Sequence, residues 1–468
     1  MQFPSFPVRF ITIVAPLILV AIFPSGCTST RAHYANYEDG KLTGWKSVSS
    51  QEGDRFSLAF IEFGEQGSFQ DPSQLQAAEK LIASKAKPLV IAYVHGWHNN
   101  SASHDVERFR GFLREVTDNA RIRNSGFTVV GIYLGWRGES LSVPVINSLS
   151  FWNRKAAAER LASNNDCIDA IWSLTSKARA KGSDSNYTIL IGHSFGGLVV
   201  ERTVAHSLVT GMHSGQNALP ADLIITLNPA GDSILTRQMI ASFDSRMSFQ
   251  NGNYVSRESQ SRLVLPGNRQ LIVGISAEND RATGTMFPIG SNLGAIGKRW
   301  DRVPPPGLEQ KSVSERLYFT NTPGNNKTLV NHHVAAVDSS APLKGENAVD
   351  ANLSNNIKDG IFYTSDTNDP QKTRWRRWQI AAKEAVVQTP YWLIQVPREI
   401  INDHGGIWSP NAQAMLAAVF RMNFPLQKMA SGEVKPAAPN PVQLPKARDY
   451  NRLQSKEPAN EPASPRNP

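Results

Sequence analysis

Ser194 stands in Gly192-His-Ser194-Phe-Gly196, a Gly-x-Ser-x-Gly pentapeptide. A serine hydroxyl is a poor nucleophile at neutral pH. It needs a base to take its proton and N–H donors for the oxyanion that forms when it attacks a carbonyl. A sharp strand-to-helix turn would expose that hydroxyl on a strained backbone. Glycines two before and two after let strand and helix approach without a Cβ clash. The flanking residues fit such a turn: 187–191 is a short β-prone run, and 197–210 carries Leu198, Val199, Val204 and Leu208 near helical spacing.

With these residues in place the chain resembles the α/β-hydrolase family, whose nucleophile elbow has this form. The resemblance implies a serine, an acid and a histidine in that chain order, each on a loop after a sheet strand. Among ten histidines, His404 follows a strong terminal strand at 391–396 and precedes the last helix. Its passage, Asp403-His404-Gly-Gly-Ile-Trp408, resembles the histidine loop of lipase-like members. His333, in Asn331-His-His-Val334, is the alternative base. For the acid, Asp280 stands a few residues past the strand at 270–275. Glu278 competes with it, and Asp232 is a third candidate that also reads as a helix N-cap.

The same resemblance implies an oxyanion hole made by the backbone N–H of Phe195 and that of Trp97, in a His95-Gly96-Trp97 loop similar to the family's His-Gly-x version. His95 and His98, and the pair His332/His333, lack the further carboxylate or cysteine ligands of a metal site. Neither a metal nor a cofactor is expected.

The elements that must position these residues alternate along the chain. Strands are expected at 56–63 (an edge strand), 88–94, 127–136, 187–191, 223–227, 270–275 and 391–396. Helices are expected at 74–86, 103–119, 152–162, 168–180, 197–210, 233–243 and 411–420. Such alternation predicts an α/β protein, of α/β-hydrolase fold by the resemblance, with a mostly parallel sheet covered by helices on both faces. Ligands of such sheets bind beyond the carboxyl ends of the strands. The hydrolase domain is expected over 51–425. Within it, 281–390 loses the alternation and reads as a long insertion before the last strand, a lid or a structural addition. In that insertion Arg374-Trp-Arg-Arg-Trp378 reads as an anionic-lipid contact or as a solvated or packed helix face. Phe151–Lys155 and Trp136-Arg137 read as core packing, with lining or bracing of the site mouth as the alternative.

The composition, 40% hydrophobic and 19% charged in 468 residues, is that of an ordinary soluble domain. The net charge of +9 is scattered without a nucleic-acid motif, so no nucleic-acid partner is expected and an anionic membrane surface suits the excess better. Residues 1–26 read as a signal peptide, with Arg9 ahead of an apolar run too short to span a bilayer. Pro24-Ser-Gly-Cys27 is similar to a bacterial lipobox, which implies an acylated Cys27 and a lipoprotein anchored to the outer membrane. Pro24 stands where Leu is usual, leaving ordinary cleavage and a periplasmic or secreted protein open. Residues 27–50 read as a leader after the anchor, 431–468 as a disordered Pro-rich tail, and Cys167 as a buried small hydrophobe.

The expected activity is that of an esterase- or lipase-like serine hydrolase acting on a carboxylic ester or lipid-like small molecule through Ser194, His404 and Asp280. A peptidase or acyltransferase on the same three residues, and an inactive membrane-tethered scaffold of the same fold, are the alternatives.

Overall fold

Pro88–Val94 is apolar at all seven positions, the pattern of a strand covered on both faces, and the computed structural model of the protein buries every residue of it. The structure describes residues 32–424 except 39–40, 46–47, 50, 52, 139–143, 183–184, 215–218, 251–252, 257–263, 266–269, 309, 338–359, 366–374 and 384–388. The signal segment 1–26, Cys27 and the tail 431–468 lie outside the described residues.

An 11-stranded sheet organises the chain. Its strands are β1 Val48–Ser49, β2 Ser57–Glu62, β3 Pro88–Val94, β4 Thr128–Gly135, β5 Tyr187–His193, β6 Leu223–Leu227, β7 Ile272–Ala277, β8 His332–Val337, β9 Ile361–Ser365, β10 Trp375–Ala382 and β11 Tyr391–Val396. They lie in the order β9-β10-β8-β11-β7-β6-β5-β3-β4-β2-β1. From β2 to β8 in that order every neighbouring pair is parallel, and the antiparallel pairs stand at the two margins.

The main helices are α1 Pro72–Ala83, α2 His104–Asp118, α3 Pro144–Ser163, α4 Asn165–Arg179, α5 Phe195–Ser214, α6 Ile234–Arg246, α7 Phe287–Gly294 and α8 Pro410–Asn423. Side chains alternate along a strand, so β3 feeds two cores. Val90, Ala92 and Val94 pack with residues of α1, α3, α4, α5 and α6 on one face. Leu89, Ile91 and Tyr93 pack with α2 and α8 on the other. The protein is therefore mixed α/β with a large, mostly parallel, doubly covered sheet.

After β3 the chain crosses to β4 on one side, then returns past β3 to place β5 on the other. A crevice opens where such a winding reverses. The register pairs Val94 with Gly192, which sets His95 and His193, and the loops that follow them, side by side at that point.

Several sequence expectations change. The segment expected as an edge strand, now β2, lies inside the sheet between β1 and β4 and is buried over nearly its whole length. Part of the expected leader is built into the fold: the amides of His33 and Tyr34 donate to the Glu62 carboxylate at 2.8 and 3.1 Å. Ala35–Glu38 and Lys41–Trp45 then pair as a hairpin. The expected insertion 281–390 contributes β8, β9 and β10 to the main sheet. Trp375–Trp378 belongs to the strand β10 rather than to a helix. On β10 the pleat turns Trp378 inward, where its indole N–H donates to Thr364 Oγ1 at 2.7 Å, while Arg376 stays exposed over the Trp378 ring.

Candidate active site

Ser194 follows β5 directly and adopts φ 57°, a left-handed conformation that costs a non-glycine residue roughly 1–2 kcal/mol. Three backbone hydrogen bonds hold the turn: the Ser194 amide donates to Leu227 O at 2.9 Å, and Ser194 O accepts from Leu198 N at 3.2 Å and Ala230 N at 3.0 Å. The flanking glycines are required by contact. A Cβ on Gly196 would stand 2.0 Å from Val94 O, and one on Gly192 would stand 2.4 Å from Gly196 O.

The structure brings the three candidate residues together. His404 Nε2 lies 2.7 Å from Ser194 Oγ, and His404 Nδ1 lies 2.8 Å from Asp280 Oδ2. The Asp280 side chain is fully buried while the imidazole keeps some exposure. Burial works to raise the Asp280 pKa, but the bond to His404, its charge attraction and the bonds from Thr283 outweigh it and hold the carboxyl below the usual range. The anion thus accepts the Nδ1 proton and leaves Nε2 with its lone pair toward the serine.

The alternative residues lie elsewhere. Glu278 is exposed, and its amide is taken by Val396 O at 2.9 Å. Asp232 stands 3.9 Å from Lys155 Nζ, and the N-cap of α6 is Ser233 instead. His333 sits on β8 opposite Gln395. Its neighbour His332 stacks on Trp392 with centroids 4.0 Å apart.

The oxyanion candidates flank the serine. Phe195 opens α5, so its N–H belongs to the first turn, which has no carbonyl one turn back to receive it. Trp97 follows Gly96, whose imagined Cβ would stand 2.7 Å from Ser194 Cβ. His95 fixes this loop: its ring bonds Gly96 O at 2.9 Å through Nδ1 and accepts from the Trp136 amide at 3.0 Å through Nε2. Burial lowers its pKa, which suits the neutral tautomer those two bonds demand. Among the described residues, no group of three or more His, Cys, Asp or Glu side chains could hold a metal ion.

Three further residues organise the site. Asn228, at φ 45° after β6, donates from Nδ2 to His404 O at 2.9 Å and accepts from Ala277 N at 2.9 Å. It therefore ties the histidine loop to the strand that carries Asp280. His193 bonds the same His404 carbonyl through Nε2 at 3.1 Å, and burial, followed by the charge of His404, lowers its pKa to about 4. Buried Asp105 accepts from Tyr93 at 2.9 Å, Tyr133 at 3.3 Å and Trp408 at 3.0 Å, pinning the turn after His404 to α2. An asparagine just past a strand is a recognisable candidate for the left-handed region, whereas Asp105 reads in sequence as an ordinary acidic residue near a helix N-terminus.

The acid turn and the histidine loop are also joined directly. Asp403 N donates to Asn279 Oδ1 at 3.1 Å, and Arg281 N donates to Asp403 Oδ1 at 3.2 Å. The arrangement can pass a proton from a buried-side hydroxyl to an imidazole held in one tautomer. No protein-family model matches the chain, and no curated protein matches it either.

Proposed function

We propose that the protein is a serine hydrolase of α/β-hydrolase fold that cleaves carboxylic esters, with an esterase- or lipase-like substrate range. The observation that carries this reading is the continuous hydrogen-bonded chain from Ser194 Oγ through His404 to Asp280, seated at the carboxyl ends of parallel strands where the winding reverses.

In this mechanism Ser194 Oγ attacks the ester carbonyl while His404 Nε2 takes its proton. The Phe195 and Trp97 amides donate to the oxyanion. Collapse of the tetrahedral intermediate expels the alcohol, which receives the proton from His404, and leaves an acyl-Ser194. A water that gives a proton to His404 then attacks the acyl carbon, and the same proton returns to Ser194 as the acid departs. Asp280 holds the imidazole and stabilises its cation throughout.

A fluorophosphonate probe tests the reading. Labelling of the folded protein that disappears in Ser194→Ala supports it, and absence of labelling favours an inactive scaffold of the same fold. A panel of p-nitrophenyl esters of increasing chain length, beside the same variant, then defines the acyl preference, and the matching p-nitroanilides and an added acceptor alcohol separate ester hydrolysis from peptidase and acyl-transfer chemistry.

Export and acylation of Cys27 at the outer membrane form part of the same proposal. Incorporation of radiolabelled palmitate that is lost in Cys27→Ser tests it, and its failure points to the periplasmic or secreted alternative.

A further inference from the structure

Five of the seven large hydrophobic side chains that are exposed among the described residues, Trp152, Met286, Ile289, Leu293 and Ile296, gather around one short helix, α7. Single exposed hydrophobics are unremarkable, but a contiguous group marks a surface that meets something apolar. Ile289 and Leu293, four apart, share one face of α7, and exposed Met286 and Ile296 stand in the turns just before and just after it. Ile289, Leu293 and Ile296 are 60%, 66% and 74% exposed, whereas Phe287 and Ala295 are buried and seat the helix on the body.

Charge selects the occupant. Residues 281–300 contain no Asp or Glu, while Arg281 at one end and Lys298 and Arg299 at the other are exposed. The whole chain carries +9. An apolar stripe bracketed by cations fits a helix lying in the interface of an anionic bilayer, with its aliphatic side chains below the headgroups and the cations among the phosphates.

Position ties the surface to the site. Phe287 packs on Trp152 with centroids 5.9 Å apart, Trp152 on Phe151 at 5.1 Å, and Phe151 on Phe195 at 4.9 Å, so a run of aromatic rings leads from the residue after Ser194 to the stripe. On the other side, the Thr283 amide bonds Asp280 Oδ1 at 3.1 Å, only three residues before Met286.

We propose that α7 and its flanks form a membrane-docking surface for anionic phospholipid bilayers, distinct from any anchor at Cys27, that sets the site mouth against the lipid. The inference rests on exposure, spacing and charge. It stands or falls separately from the serine chemistry.

The test uses the full chain carrying Cys27→Ser. Cys167 is buried, with its thiol pushed up to about 12, and does not compete for a thiol-reactive dye. An environment-sensitive fluorophore is attached at Leu293→Cys or, as a control, at Ala83→Cys, which is exposed and ends α1 just before β3 begins, away from the carboxyl ends of the strands. With phosphatidylglycerol-containing vesicles, the label at 293 shifts to the blue and brightens while the label at 83 does not. Lys298→Ala with Arg299→Ala weakens that response about tenfold or more in lipid concentration, and pure phosphatidylcholine vesicles give little of it. No response at 293, equal responses at 293 and 83, or equal responses to neutral and anionic vesicles would each overturn the proposal. So would a vesicle-free shift that grows with protein concentration, because it identifies a second copy of the chain as the occupant.

Discussion

Asn228 Nδ2 lies 2.9 Å from the carbonyl oxygen of His404, and the same side chain accepts from Ala277 N through Oδ1. One amide therefore spans the end of β7, which leads to Asp280, and the loop that carries the imidazole. Both loops could keep their backbone path without it, but their relative placement would loosen.

Replacement of Asn228 by alanine is expected to lower kcat with little change in KM. A displacement of about 1 Å between reacting groups costs on the order of a hundredfold in rate. The rate of fluorophosphonate labelling should fall in proportion, because the probe reports nucleophile activation independently of the leaving group. Unchanged labelling would show that the Asp403–Asn279 and Arg281–Asp403 bonds hold the loop by themselves.

Asp280→Asn should keep the fold and remove most of the activity. The asparagine can present an N–H to His404 Nδ1, which drives the ring proton to Nε2 and turns the base into a donor toward Ser194. A wrong tautomer of this kind costs about ten-thousandfold in kcat. Recovery of activity at elevated pH would separate this effect from misfolding, which a higher pH does not repair. The carboxylate is held below its usual range, so its stabilising effect is present above the unfolded-state value. That effect is lost as the pH falls through the depressed folded-state value.

Much of this site is legible in the chain because its parts are local. The β3, β6 and β11 bounds coincide with apolar runs at 88–94, 223–227 and 391–396, and central parallel strands have to be apolar on both faces. Gly192, Ser194 and Gly196 carry the elbow by steric necessity alone. The margins of the sheet are harder to read. Arg376 and Arg377 on β10, and His333 on β8, keep some exposure, and His332 beside it is polar though buried, so no apolar run marks these strands. The pairing of Glu62 with the His33 and Tyr34 amides, and of Asp105 with Tyr93, Tyr133 and Trp408, joins residues far apart in the chain. Nothing in their local sequence announces it.

Glu201 offers a stability prediction away from the chemistry. It is buried on α5, where it accepts from Tyr391 at 2.7 Å and from Thr236 through the same oxygen. Burial raises its pKa to about 7, against the opposing effect of those two bonds. The folded protein thus holds a proton that the unfolded chain releases. Stability is fully present below the unfolded carboxylate value and declines as the pH rises through about 7, by on the order of 3 kcal/mol for a shift of this size. Glu201→Gln keeps the accepting oxygen and removes the titration. Denaturant unfolding from pH 5 to pH 8 should show a decline in the wild type that is much flatter in the variant, and parallel curves would assign the decline to other groups.

Two glycines near Ser194 separate loss of the proposed chemistry from loss of fold. A Cβ on Gly196 would meet Val94 O at 2.0 Å and His95 O at 2.6 Å. Both are backbone atoms at the end of the central strand, so neither can yield without breaking the β3–β5 pairing. Gly196→Ala is therefore expected to give little folded protein. On Gly96 the imagined Cβ meets Ser194 Cβ at 2.7 Å and the His193 ring and carbonyl at 3.0 Å, and the Gly96 loop lies beyond the last residue of β3. Relief of that contact has to shift the loop against the hold of the His95 ring and carries the Trp97 amide away from the oxyanion position. Removing one such donor costs about a hundred- to a thousandfold in kcat. Gly96→Ala should accordingly unfold cooperatively close to the wild-type denaturant midpoint while hydrolysing p-nitrophenyl esters far more slowly, and a soluble, folded Gly96→Ala variant of undiminished kcat would remove Trp97 from the oxyanion assignment.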